Sequence, residues 1–162
     1  MKPTLESIAK GPQWLDIARF APANRRRLSA PALRTFLAIA DLWDLNEGQR
    51  RLILGYPSRS TYQSWSKQAR GHGSFTLGVD MLTRISAVFG IHQALGVLFD
   101  NEREGVEWLR TPHNAPVFGG HAPIDLVTAG TQDALLTVRR FLDAARGGLY
   151  MAPGAVDTGF AP

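Results

Sequence analysis

The 162-residue chain contains no cysteine. That absence excludes a disulfide scaffold, a thiolate metal site and a cysteine nucleophile. Long hydrophobic runs are missing as well, since no apolar stretch approaches the ~18 residues that span a bilayer. Lys10, Asp16 and Arg19 interrupt the segment where the uncharged core of a signal peptide would lie. A cytoplasmic protein with no membrane partner is the expectation. Nowhere does the sequence alternate apolar and polar residues between turn signals, so no strand is expected. Catalytic patterns are equally scarce. His113, His121 and Asp125 lie near one another in sequence, but only His121 and Asp125 have a helical spacing, and His121 precedes an expected helix start, where capping is the simpler role. Gly71-His72-Gly73-Ser74 fits neither a nucleophile elbow nor a phosphate loop, for it lacks the following glycine and lysine. These patterns point away from an enzyme and call for no metal and no cofactor.

Charge is present, and it is unevenly placed. Residues 1–70 hold 12 basic and 5 acidic side chains, a net of +7, whereas residues 71–162 hold 6 basic and 9 acidic, a net of −3. A polyanion would be drawn to the front half alone. The Arg25-Arg26-Arg27 cluster belongs to that half and offers phosphate contacts.

Helical spacing dominates the rest. Ser29 as N-cap and Pro31 in the first turn predict a helix over about 31–45, with Leu33, Phe36, Leu37, Ala40 and Trp43 inward. Asn46 with Gln49 forms a capping box for a short helix ending at Leu54, where Gly55 and Pro57 stop it. Ser58 caps a third helix, Arg59 to Ala69. Met81 to Phe89 and Ile91 to Phe99 read as two apolar segments separated by Gly90. Asn101 and Glu104 start another helix that Pro112 bounds, Ile124 to Ala129 is short, and Gln132 to Arg146 is the last, with Leu135, Val138, Leu142 and Ala145 inward. The fold class is therefore all-α.

Two short helices joined by a glycine-containing turn fit a helix-turn-helix. On a helical wheel, Tyr62, Trp65 and Ala69 share one face of the helix after the turn. Ser60, Gln63, Ser64 and Lys67 share another, flanked by Arg59 and Arg70, with no carboxylate. A major-groove reader requires this division: amides pair with adenine edges, cations with guanine or phosphate, and acids would repel the backbone. Arg59, Ser60, Gln63, Ser64, Lys67 and Arg70 are thus the candidate DNA-binding residues.

From Gly78 to Gly148 the sequence resembles the C-terminal domain of the Xre/ParS/MbcA antitoxins, partners of RES-domain toxins in bacterial type II toxin–antitoxin modules. The resemblance is carried by Leu82-Thr83-Arg84-Ile85 and Phe89-Gly90-Ile91-His92-Gln93-Ala94-Leu95, and by Glu107-Trp108-Leu109-Arg110-Thr111-Pro112-His113-Asn114. Phe118-Gly119-Gly120, Pro123-Ile124-Asp125-Leu126 and the helix through Val138, Arg139 and Leu142 continue it. It implies an N-terminal extension over 1–27, an Xre-like DNA-binding domain over 28–73, a toxin-binding and dimerisation domain over 74–148 and a tail over 149–162. It further implies a homodimer that binds operator DNA to repress its own operon and occludes the NAD site of a RES-domain toxin. With the toxin-facing surface wholly downstream of Gly73, a fragment beginning near Ser74 is expected to keep it. The tail departs from the family's commonest pattern. Its small residues suit a narrow cleft, and Tyr150, Asp157, Phe160 and Pro162 are its candidate toxin contacts. The competing reading is a stand-alone helix-turn-helix repressor whose back domain dimerises or senses a ligand.

Overall fold

The computed structural model describes residues 21–147. Among them are seven helices and no strand: α1 Pro22–Leu42, α2 Glu47–Ile53, α3 Arg59–Arg70, α4 Val79–Leu98, α5 Glu102–Arg110, α6 Pro123–Val127 and α7 Gln132–Gly147. The all-α reading is met. The local start signals of the short helices are also observed. Asn46 accepts from the Gln49 amide while the Gln49 side chain accepts from the Asn46 amide, closing the capping box, and Ser58 accepts from the Thr61 amide. Asn101 accepts from the Glu104 amide, whereas the Glu104 carboxylate reaches one residue further back, to the Asp100 amide.

Two boundaries differ from expectation. The first helix begins at Pro22 rather than near Pro31, because a proline in the first turn removes only an amide that has no helical partner there. Ser29 is accordingly not a cap. It is fully buried inside α1, and its hydroxyl donates to the Arg25 carbonyl and accepts from the Leu77 amide at 2.8 Å. Pro31 lies within the helix, where a proline costs an intrahelical hydrogen bond. Buried Ser29, Ala30 and Leu33 on either side hold that turn in place. The second difference is at Gly90, which does not end a helix, since α4 runs through it for 20 residues. A Cβ at position 90 would come within 2.5 Å of Arg139 Nε on α7. Gly90 is there for close approach of that side chain, not for chain reversal.

Helix α4 is the centre of the molecule. It packs on α7, α1 and α5, while α1 also packs on α3, and α6 joins α5 and α7. By length and composition α4 is apolar enough to cross a membrane, yet half of it is buried inside the fold. One cluster of buried side chains runs from Leu33, Phe36 and Trp43 through Ile53 and Leu54 to Ile85, Ile91, Leu109 and Leu142. Polar ties follow the same path. Arg110 of α5 donates to the carbonyls of Trp43 and Asp44 at the end of α1, and Arg84 of α4 donates to Ile53 and Gly130. Lone carbonyls at helix ends are good acceptors for arginine, so these bonds close the ends of α1 and α2.

Candidate functional site

The segment from α2 to α3 is built by its turn. Leu54–Ser58 connect the helices, and Gly55 adopts φ +88°, a conformation that disfavours any side chain. Arg51 braces the turn by donating to the Pro57 carbonyl at 2.9 Å and lying 4.5 Å from the centre of the Tyr56 ring. Beyond the turn, α3 divides as its sequence requires. Tyr62 and Ala69 are buried against the core, while Arg59, Ser60, Gln63, Ser64, Lys67 and Arg70 are exposed. All six candidate DNA-binding residues thus lie on solvent-facing α3. Trp65, expected inward, is only half-buried, and Ser66 takes the buried position beside Tyr62. Tyr62, Ser66 and Ala69 recur at spacings of four and three, so the buried face of α3 runs through Ser66, and Trp65 lies beside it, packed against the core.

A groove of about 470 Å³ opens beside α3, lined by Leu45, Glu47, Arg50, Tyr62, Gln63, Ser66, Lys67 and Arg70. The Ser66 hydroxyl on its wall is buried and has no hydrogen-bond partner among the described residues. Arg50 is held by Asp41 at 2.7 Å and by the Leu45 carbonyl, but no described carboxylate pairs with Lys67 or Arg70. The acid that does reach this face comes from α2. Glu47 pairs with Arg59 at 3.0 Å and accepts from Gln63 at 3.4 Å. The wheel of α3 alone contains no carboxylate and therefore missed Glu47; its position at the start of the preceding helix was the available signal.

The back half is organised around one indole. Trp108 is buried, with its ring 4.9 Å from His113, 5.8 Å from Phe118 and 6.0 Å from Phe141 between centroids. Phe118 and Phe141 meet edge-on at 4.8 Å. The His113 ring also bonds the Trp108 carbonyl at 2.9 Å, and backbone bonds between His113 and both Gly120 and His121 tie the loop back on itself. His113 is therefore part of a packed aromatic cluster, which accounts for it without a metal. This cluster holds α5, the 111–122 loop and α7 as one unit. Val97 and Val117 stand on its outside with 55% and 37% exposure, apolar surface that helical periodicity could not single out. Tyr150, Asp157, Phe160 and Pro162 lie outside the described residues.

Residues 94–148 match the model of the antitoxin Xre/MbcA/ParS C-terminal toxin-binding domain. That span begins near the C-terminal end of α4 and takes in the whole Trp108 cluster. The chain is also similar to a protein of Sinorhizobium fredii named as the uncharacterized protein y4oB. The two are 37% identical over 116 residues, which make up 72% of this chain and 84% of that protein. A toxin-binding domain of this kind implies a toxin as partner and a regulatory rather than catalytic role. The chain belongs to the Xre/MbcA/ParS family of antitoxins.

Proposed function

We propose that this antitoxin neutralises a NAD-degrading RES-domain toxin by covering its active-site cleft, and that as a homodimer in the cytoplasm it represses its own operon through α3. The toxin-binding domain matched over residues 94–148 carries the reading. Neutralisation is steric and stoichiometric, with no bond made or broken by the antitoxin. The DNA-binding part rests on the exposed, carboxylate-free residues of α3 and on the basic front half of the chain. Gln63 and Lys67 read bases or phosphates, and Arg59, Ser60, Ser64 and Arg70 flank them. In the tail, Asp157 or the carboxylate of Pro162 pairs with a toxin arginine in place of a NAD phosphate, beside contacts from Tyr150 and Phe160.

The test is NAD hydrolysis by the RES-domain protein of the same host, purified and mixed with equimolar antitoxin. Full-length antitoxin is expected to abolish hydrolysis. A chain ending at Gly148 should inhibit less while keeping the same thermal midpoint. Undiminished hydrolysis with the full-length chain overturns the RES assignment. Equal inhibition by both forms removes the tail from the interface.

A further inference from the structure

A second basic site lies apart from the exposed face of α3. It is a pocket of about 280 Å³ between α1 and the chain leaving α3, lined by Arg26, Arg27, Ala30, Pro31, Arg34, His72, Gly73 and Ser74. Three guanidinium groups and an imidazole border it, and among the described residues no carboxylate does. Arg50, Arg59, Arg84, Arg103, Arg139 and Arg140 each have an acidic partner within 4 Å. Among the described residues the pocket arginines make neutral bonds: Arg26 with the Ser74 hydroxyl at 3.4 Å, and Arg34 with the Ala69 carbonyl at 3.1 Å. Un-neutralised cations held side by side repel one another, and an anion placed among them relieves that repulsion.

We propose that this pocket seats a DNA backbone phosphate, gripped by Arg26 and Arg27, with Arg34 adding positive potential and the His72 imidazole on its wall. The proposal rests on the DNA-binding reading of α3 and assigns it a second, sequence-independent contact. Position argues for the duplex as the source of the phosphate. Arg34 holds the carbonyl of the last turn of α3, and His72, Gly73 and Ser74 follow directly from that helix, so the pocket adjoins its C-terminal end. A helix of 12 residues is about 18 Å long, whereas the major groove is only about 12 Å wide. A helix of that length entering the groove by its N-terminal part brings its other end toward the phosphate wall. The pocket lies at that end. His72 is held there by a left-handed backbone at φ +56°, which turns the chain sharply out of α3.

Salt dependence separates this contact from base reading. The full-length protein would be titrated with its operator and with an unrelated duplex of equal length, over a range of salt concentrations. The double variant Arg26→Gln/Arg27→Gln is expected to bind both duplexes more weakly by the same factor. It should also flatten the plot of log affinity against log salt by about one contact, that of the phosphate both arginines grip. Arg26→Lys/Arg27→Lys, which keeps the charge, should restore most of the slope. A native thermal midpoint checks that both exposed substitutions leave the fold intact. An unchanged slope in the Gln variant, or a loss confined to the operator, overturns the proposal while α3 remains the reader. Wild-type protein that binds neither duplex overturns the underlying DNA reading, and the proposal with it. Pyrophosphate added to the wild type should not raise the thermal midpoint beyond what equal ionic strength of chloride does. A specific rise, lost in the Gln variant, with the DNA slope unchanged would reassign the pocket to a small phosphate ligand.

Discussion

Ser29 is a small side chain with a large task. It is fully buried, and it alone satisfies the amide of Leu77, a residue that is itself fully buried. Removing a hydroxyl from such a position leaves the amide without a partner, a cost of about 1–3 kcal/mol. Ser29→Ala should therefore lower the unfolding free energy measured in urea by that amount, and a loss below experimental error would mean that the amide finds another acceptor. The tryptophans make a second comparison at this scale. Trp108 is 6% exposed and packs against the rings of Phe99, His113, Phe118 and Phe141, so Trp108→Ala should cost about 3–5 kcal/mol. Trp65 is only half-buried against the core, and Trp65→Ala should cost clearly less. Equal losses measured by chemical denaturation would place Trp65 deeper than its exposure implies.

At the scale of elements, what the sequence made legible depended on how local the signal is. The starts of α2 and α3 follow from Asn46–Gln49 and from Ser58, because a cap is decided by residues three apart. The inward stripes of α1 and α7 were equally readable, since periodicity reports burial whatever covers it. Ser29 and Gly90 misled for one shared reason. Each has a local meaning, cap or stop, that a distant partner overrides: the Leu77 amide for one and the Arg139 side chain for the other. The same limit applied to the candidate site. The outward residues of α3 were legible, but Glu47 reaches them from α2 and was not. That carboxylate is the one acidic group tied to Arg59 and Gln63 among the described residues, and it opposes an incoming phosphate. Glu47→Gln should consequently tighten operator binding several-fold. It should cost about 0.3–1 kcal/mol of stability, because an acid in the first turn of α2 favours that helix. Gln63→Ala and Lys67→Ala should instead weaken binding by about 1–3 kcal/mol each. Weaker binding by Glu47→Gln in a fluorescence-anisotropy titration would mean that the Glu47 pairs orient Arg59 and Gln63 for the DNA rather than competing with it.

One core joins the proposed DNA-facing part to the toxin-binding part, and this bears on whether they can be separated. Leu33, Phe36, Leu37, Ala40 and Trp43 of α1 are each no more than 3% exposed, and α1 packs on both α3 and α4. A chain beginning at Ser74 loses all of them. It also loses the carbonyls that Arg110 and Arg84 reach at the ends of α1 and α2, and the hydroxyl that satisfies Leu77. Each large apolar side chain of α1 contributes about 1.5–3 kcal/mol by burial, so four of them are comparable to the entire net stability of an ordinary domain, about 5–15 kcal/mol. The truncated chain would in addition expose the apolar face of α4 to water, a surface prone to association. The autonomy of the back half expected from its sequence position therefore conflicts with the packing. We expect a fragment of residues 74–162 to show no cooperative urea transition, or to aggregate, and so to protect poorly against the toxin despite retaining the matched toxin-binding segment. Full-length protein with Gln63→Ala and Lys67→Ala should, by contrast, separate the activities cleanly: native circular dichroism and full toxin inhibition with lost repression. If the fragment unfolds cooperatively near the full-length midpoint, the α1–α4 contact is dispensable, and the two functions can be parted by cutting the chain as well as by point substitution.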